Sequence, residues 1–129
     1  MKISRPSLDE AINSFTGGAS VRDGRVKFEI SPLVENGNAV PVSVEVEIPM
    51  TAADHVKRIA LFNERNPQAD VVVFHLGPRS GRARVATRIR LAASQTVVAL
   101  AETSDGAFWS ARAKVIVTLA ACIEDISQQ

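Results

Sequence analysis

Apolar and polar residues alternate along most of the chain, and turn-forming residues interrupt the alternation roughly every ten positions, which is the texture of an all-β protein. The clearest stretch is 40–48, where Val42, Val44, Val46 and Ile48 point one way, Ser43, Glu45 and Glu47 the other, and Pro49 ends the run. Val26–Ile30 alternates before it, with a turn at 35–38 between them. Further strands are predicted over 56–62, closed by 63–67, and over 71–75, 83–91 and 96–102. Asp105-Gly106 is a hairpin signal. Residues 107–114 then lead into a last strand, where Val115, Val117 and Leu119 alternate with Ile116, Thr118 and Ala120. The run 71–75 is apolar throughout, which predicts a strand covered on both faces or docked against something, in isolation a second copy or a partner subunit. The alternation nominates Val42, Val44, Val46, Ile89, Leu91, Val115 and Val117 as core. One helix precedes the strands, over 6–15: Ser7 is placed to cap it, Glu10 completes a capping box, and Leu8, Ala11, Ile12 and Phe15 recur at helical spacing. Gly17-Gly18 ends it.

About seven or eight short strands behind one helix predict an immunoglobulin-like antiparallel β-sandwich with a short N-terminal helix. The length, 129 residues, suits one domain. Its expected division is a helix and linker over 1–18, the sandwich over 19–119 and a cysteine arm over 120–129. A composition of 46% hydrophobic and 22% charged residues is that of an ordinary globular chain. The net charge of +1 supplies no bulk attraction to nucleic acid or to a membrane surface. Aromatic residues are 5% of the chain and tyrosine is absent, so stacking platforms for bases are scarce and no nucleic-acid partner is expected. No apolar run reaches the length of a membrane helix. Residues 1–7 lack the apolar core of a signal peptide. The expected compartment is therefore the cytoplasm if Met1 is native, and the periplasm if a leader has been replaced.

Candidate chemistry is sparse. The single cysteine, Cys122, follows the last strand, where a thiol on a projecting end would be accessible for chemistry; the competing reading is a small buried hydrophobe. The basic run Arg79, Arg82, Arg84, Arg88 and Arg90 suits either an acidic partner or a solvated strand face balanced by Glu45 and Glu47. His55, His75, Met50 and Cys122 contain the ligand types of a blue-copper site, yet no histidine or methionine follows Cys122, so no metal site is expected. Hydrolase chemistry lacks a nucleophile elbow. No catalytic residue and no cofactor are expected.

Several ordered motifs carry a family resemblance: residues 35–41 from Glu35 to Pro41, Asn66-Pro67, His75 to Pro78 with Gly81, and residues 86–92. The series continues through residues 95–99 and Asp105-Gly106 to the Val117-Thr118 strand before Cys122. Together they resemble the SoxY family, the sulfur-carrier subunit of the bacterial thiosulfate-oxidising Sox system. The resemblance implies a sandwich that pairs with a SoxZ-like subunit as a heterodimer in the periplasm and meets Sox-type enzymes transiently. It also implies a cysteine, matched here by Cys122, that carries sulfur intermediates covalently on a Gly-Gly-Cys-Gly-Gly arm. Here Ala120 and Ala121 stand before the cysteine and Ile123 and Glu124 after it, which marks a SoxY-related branch with an Ala-Ala-Cys-Ile-Glu arm. Those side chains remove the backbone freedom of glycine. Two functions are therefore expected of such a chain: a non-enzymatic sulfur carrier using Cys122, or a structural or binding subunit that keeps the sandwich and interface alone.

Overall fold

The computed structural model describes residues 7–65 and 70–119. Helix α1 (Leu8–Thr16) precedes strands β1 (Val21–Asp23), β2 (Val26–Ile30), β3 (Leu33–Asn36), β4 (Val40–Val46), β5 (Val56–Asn63), β6 (Asp70–His75), β7 (Arg84–Ile89), β8 (Gln95–Thr103) and β9 (Phe108–Leu119). They form an immunoglobulin-like sandwich. One sheet has the order β1-β9-β8-β5-β6, with β3 also pairing β9; the other has the order β2-β4-β7.

The alternation of β4 places the core. Val44 pairs with Phe28 of β2 on one side and Val85 of β7 on the other. Its side chain joins Val40, Val42 and Val46 against Ile59, Leu61, Val97, Ala99 and Val115 of the facing sheet. Of the predicted core, Val42, Val44, Val46, Ile89, Leu91 and Val115 are buried, and Val117 packs on the same cluster half-buried. Strand β4 ends two residues before the predicted Ile48, because the Ile48 amide turns back onto the Val46 carbonyl at 3.0 Å, a γ-turn spacing.

The six-stranded sheet has a second apolar face, and α1 covers its centre. The helix begins as predicted: Ser7 Oγ accepts the Glu10 amide at 3.1 Å and Glu10 Oε1 accepts the Ser7 amide at 2.8 Å. The Ser7 amide first, and then the Ser7 hydroxyl, hold the Glu10 carboxyl below the usual carboxylate range. Gly17 ends the helix at φ 68°, a left-handed conformation that glycine adopts without strain. Ile12 and Phe15 then pack on Ala60, Phe62, Val98, Leu100 and Phe108. Phe15 meets Phe62 and Phe108 edge-on, at centroid distances of 5.6 and 6.2 Å.

Strand β6 differs from the expectation of cover on both faces. It is an edge strand, paired to β5 alone. Val72 turns into the inter-sheet core, whereas Val73 is 37% exposed and His75 is exposed beside it. Two strands, β1 and β3, go beyond the alternation in the sequence. Both pair with β9 in parallel, whereas the other pairings within the sheets are antiparallel.

Candidate functional site

The predicted site, Cys122 with Ala120, Ala121, Ile123 and Glu124, lies outside the described residues. What is described is the strand that delivers the chain to it. β9 is twelve residues long. Its first part forms the β8–β9 hairpin, with Glu102 opposite Phe108 and Gln95 opposite Val115. The hairpin turns at Asp105-Gly106 as predicted: Asp105 Oδ1 accepts the Ala107 amide at 3.1 Å and the Thr103 hydroxyl, and Gly106 takes φ 86°.

Beyond Val115 the strand leaves β8 and is held by other means. β3 pairs with it at Leu33–Ile116, Val34–Val117 and Asn36–Leu119. The Ile116 amide donates to the Pro32 carbonyl at 2.9 Å. The Val117 amide donates to Ser94 Oγ at 2.8 Å, and Thr118 Oγ1 donates to the Glu35 carbonyl at 3.3 Å. Each of these bonds ties down backbone that would otherwise end a sheet unpaired. Position 119 is thus reached on a fixed strand, three residues before the thiol.

Alternation puts Arg112, Lys114, Ile116 and Thr118 on the face of β9 that also bears Phe108. Phe108 lies under α1, but the others are exposed. Ile116 is 58% exposed and its cross-strand partner Leu33 is 59% exposed. An apolar pair flanked by two cations therefore sits directly before the cysteine segment. Sequence reading missed Ser94, Thr118 and the Leu33–Ile116 pair. The tetrapeptide Leu33–Asn36 is too short to show a period, and its partner is remote in sequence.

The other candidates resolve as structure. Arg82 bonds Glu45, the first cause of a Glu45 carboxyl held below its usual range, and Arg84 sits opposite Glu45 in the β4–β7 register. The basic run is therefore in part a balanced strand face. Arg88 borders an open depression of about 1000 Å³ along β2, β4 and β7, with Glu29, Ser43 and Ala86 also lining it. His55 Nδ1 is 2.9 Å from the Thr51 carbonyl, and the Val56 amide donates to the Met50 sulfur at 3.3 Å. His75 is on the β6 edge, opposite Arg58. Among the described residues no three histidine, cysteine, aspartate or glutamate side chains group as a metal site. No helix among them is long and apolar enough to cross a membrane.

Known proteins bear on this geometry in two ways. The structure of the sulfur carrier protein SoxY from Chlorobium limicola f thiosulfatophilum superposes with a TM-score of 0.73 at 27% identity, over 86% of this chain and 91% of that one. Superoxide reductase (neelaredoxin) from Ignicoccus hospitalis superposes with a TM-score of 0.64 at 22% identity, over 73% of this chain and 80% of that one. A putative superoxide reductase from Thermotoga maritima gives 0.60 at 23%, over 80% and 89%. At those identities the two reductases share the fold. No curated protein sequence matches the chain. The family description "Sulfur oxidation protein SoxY" matches residues 12–122, from the middle of α1 through the cysteine. On that match the chain belongs to the SoxY family.

Proposed function

We propose that the chain is a non-enzymatic carrier subunit of sulfur oxidation, with Cys122 as the covalent attachment point for a sulfur-containing group. The observation that carries this reading is the extent of the family match, whose last residue is Cys122. The anchoring of β9 by β3, Ser94 and Thr118 supports it, because a carrier thiol works best on a segment rooted in a rigid body. Partner enzymes load and release the cargo, and no cofactor takes part. A SoxZ-like subunit is the proposed heterodimer partner. The exposed Leu33–Ile116 pair, with Arg112 and Lys114 on the same strand face, supports a protein contact at the root of the arm. The periplasm is the proposed compartment, on the family resemblance.

A second reading keeps the sandwich and the partner contact without carriage. It is favoured by Ala120, Ala121, Ile123 and Glu124, whose side chains stand where the resemblance implies glycine. One experiment separates the two. Protein purified from its native host is measured by intact mass and by peptide mapping, then labelled with maleimide folded and in denaturant. Carriage predicts an added mass on the Cys122 peptide, labelling in the folded state, and a Cys122→Ser variant of unchanged stability that takes no load. Labelling only in denaturant, with a destabilised serine variant, leaves the structural reading.

A further inference from the structure

The chain's single tryptophan, Trp109, lies near the start of β9, at the opposite end from the cysteine segment. Ten residues of extended strand put it about 33 Å from Leu119. It is half-exposed, and two exposed arginines stand over its ring. The Arg22 guanidinium carbon is 5.5 Å from the ring centroid and that of Arg25 is 4.8 Å. Arg22 is placed there by the parallel β1–β9 register, in which it is the direct partner of Trp109.

Arg25 reaches the ring by a different route. The turn from β1 to β2 passes through Gly24 at φ 115° and Arg25 at φ 61°, and a Cβ on Gly24 would lie 4.0 Å from Trp109 Cζ3. The Gly24 amide donates to the Ser110 carbonyl at 3.3 Å, and the Arg25 carbonyl accepts the Glu47 amide at 2.8 Å, so the turn is pinned to both sheets. Arg25 is the one non-glycine residue with positive φ among the described residues. A left-handed arginine is strained where glycine is not, and an exposed cation–π contact offsets a cost of the same small order. The fold itself therefore gains little from arginine over glycine here, and strain kept at an exposed position points to a role outside the fold.

Charge balance points the same way. Neither guanidinium forms an ion pair among the described residues. Asp23 alternates to the other face of β1, in register with Ser110. Asp105 lies near enough to feel Arg22, yet the two form no ion pair, and Asp105 Oδ1 accepts from Thr103 and Ala107 instead. Two preorganised forks are thus left open to solvent over an aromatic floor, a form suited to bidentate capture of carboxylates. β1 lies at the end of its sheet, so its outer backbone groups can pair with an added extended chain. We propose that Arg22, Arg25 and Trp109 form a docking site for an acidic, extended segment of a partner protein. Its distance from Leu119 lets a partner hold the protein there without touching the far end of β9.

Because Trp109 is the only tryptophan, its fluorescence reports on this site directly. The probe is a hexaglutamate peptide titrated at low salt, with hexathymidylate and sodium sulfate of matched ionic strength as comparators. The expected result is a saturable fluorescence change with hexaglutamate that weakens as salt rises. Affinity should fall at least about ten-fold in the Arg22→Gln, Arg25→Gly double variant, because both forks are lost. Arg25→Gly suits the left-handed backbone, so its unfolding midpoint stays at or above that of the wild type, separating lost binding from lost fold. The proposal is overturned by the absence of a saturable change, by equal binding of the double variant, or by the same signal from sulfate. Tighter binding of hexathymidylate overturns it as well. Cys122 loading measured on these variants stays at the wild-type level, so this outcome is independent of whether the protein is a carrier.

Discussion

Arg58 joins parts of the fold that the chain itself leaves apart. Its Nε donates to Glu102 Oε1 at 2.5 Å across the β5–β8 pair, and its guanidinium lies over the Phe15 ring with Cζ 3.9 Å from the centroid. A terminal nitrogen reaches the Phe15 carbonyl at 3.4 Å. α1 has no basic residue in its last turn, so Arg58 supplies from the sheet the cation that a helix C-terminus favours. Arg58→Ala leaves Glu102 short of its closest partner and should lower unfolding stability by about 2 kcal/mol, read from urea midpoints. Asp105 makes a prediction in pH. The Thr103 hydroxyl, then the Ala107 amide, hold its carboxyl below the ordinary aspartate value of 3.8. A depressed folded value means that the unfolded chain takes up the proton first. The contribution of Asp105 is therefore complete above about 3.8 and is lost as pH falls through the lower folded value. Asp105→Asn should lower the thermal midpoint at neutral pH and flatten its fall in acid, a difference read by comparing melts of the two proteins from about pH 6 down to about pH 2. The turn itself was legible in Asp105-Gly106. Arg25 was not, since the usual markers of a left-handed residue are glycine and asparagine.

At the scale of elements, what could be read from sequence tracks length and locality. α1 was legible because a capping box, an apolar stripe and Gly17 fall at fixed spacings within a dozen residues. β4 and β7 were legible because each is long enough for an alternation to show, and β8 as a run closed by the Asp105-Gly106 hairpin signal. β1 and β3, with three and four residues, carry no period, and their parallel partner lies more than eighty residues away. β6 was legible as a strand, though not in which of its faces the chain itself covers. An apolar run records that a strand can be covered on both faces, and the edge position leaves Val73 without that cover. The anchoring of β9 makes the element-scale prediction. In a Ser94→Ala, Thr118→Val variant the Val117 amide loses its acceptor and the link from Thr118 to β3 goes. Amide hydrogen exchange at Ile116 and Val117 should speed up by about ten-fold or more, while global stability falls by no more than about 1–2 kcal/mol. Exchange unchanged at these amides would mean that β3 pairing alone fixes the strand.

At the scale of the whole molecule, one sheet is faced by its partner sheet and by α1, and the large apolar side chains left exposed among the described residues are Leu33, Ile116 and Val73. Two of the three are one cross-strand pair. The chain alone at high concentration should self-associate or, when coexpressed, bind a SoxZ-like subunit. Leu33→Glu with Ile116→Glu should abolish both, with the unfolding midpoint nearly unchanged because neither side chain is buried. Light scattering and co-purification check this, with Val73→Glu reporting on the β6 edge instead. The sandwich was legible from alternation and turn spacing. The sequence offers Cys122 only as a lone cysteine after the last strand, and the carrier role proposed for it rests on the family motifs, because one cysteine after one strand has no chemistry specific to it.

The way β9 is built also fixes how the molecule answers a pull. Hydrogen bonds in a sheet run across the strands, so tension applied beyond Leu119 along the strand axis loads them side by side, in shear, and does not peel them off one after another. The β3 contacts and the Ser94 and Thr118 bonds take that load first, at the strand's end, and the β8 ladder shares the remainder along the next eight positions from Val115 to Phe108. A partner that tugs on the cysteine segment therefore drags the whole sandwich with it and leaves its seam closed.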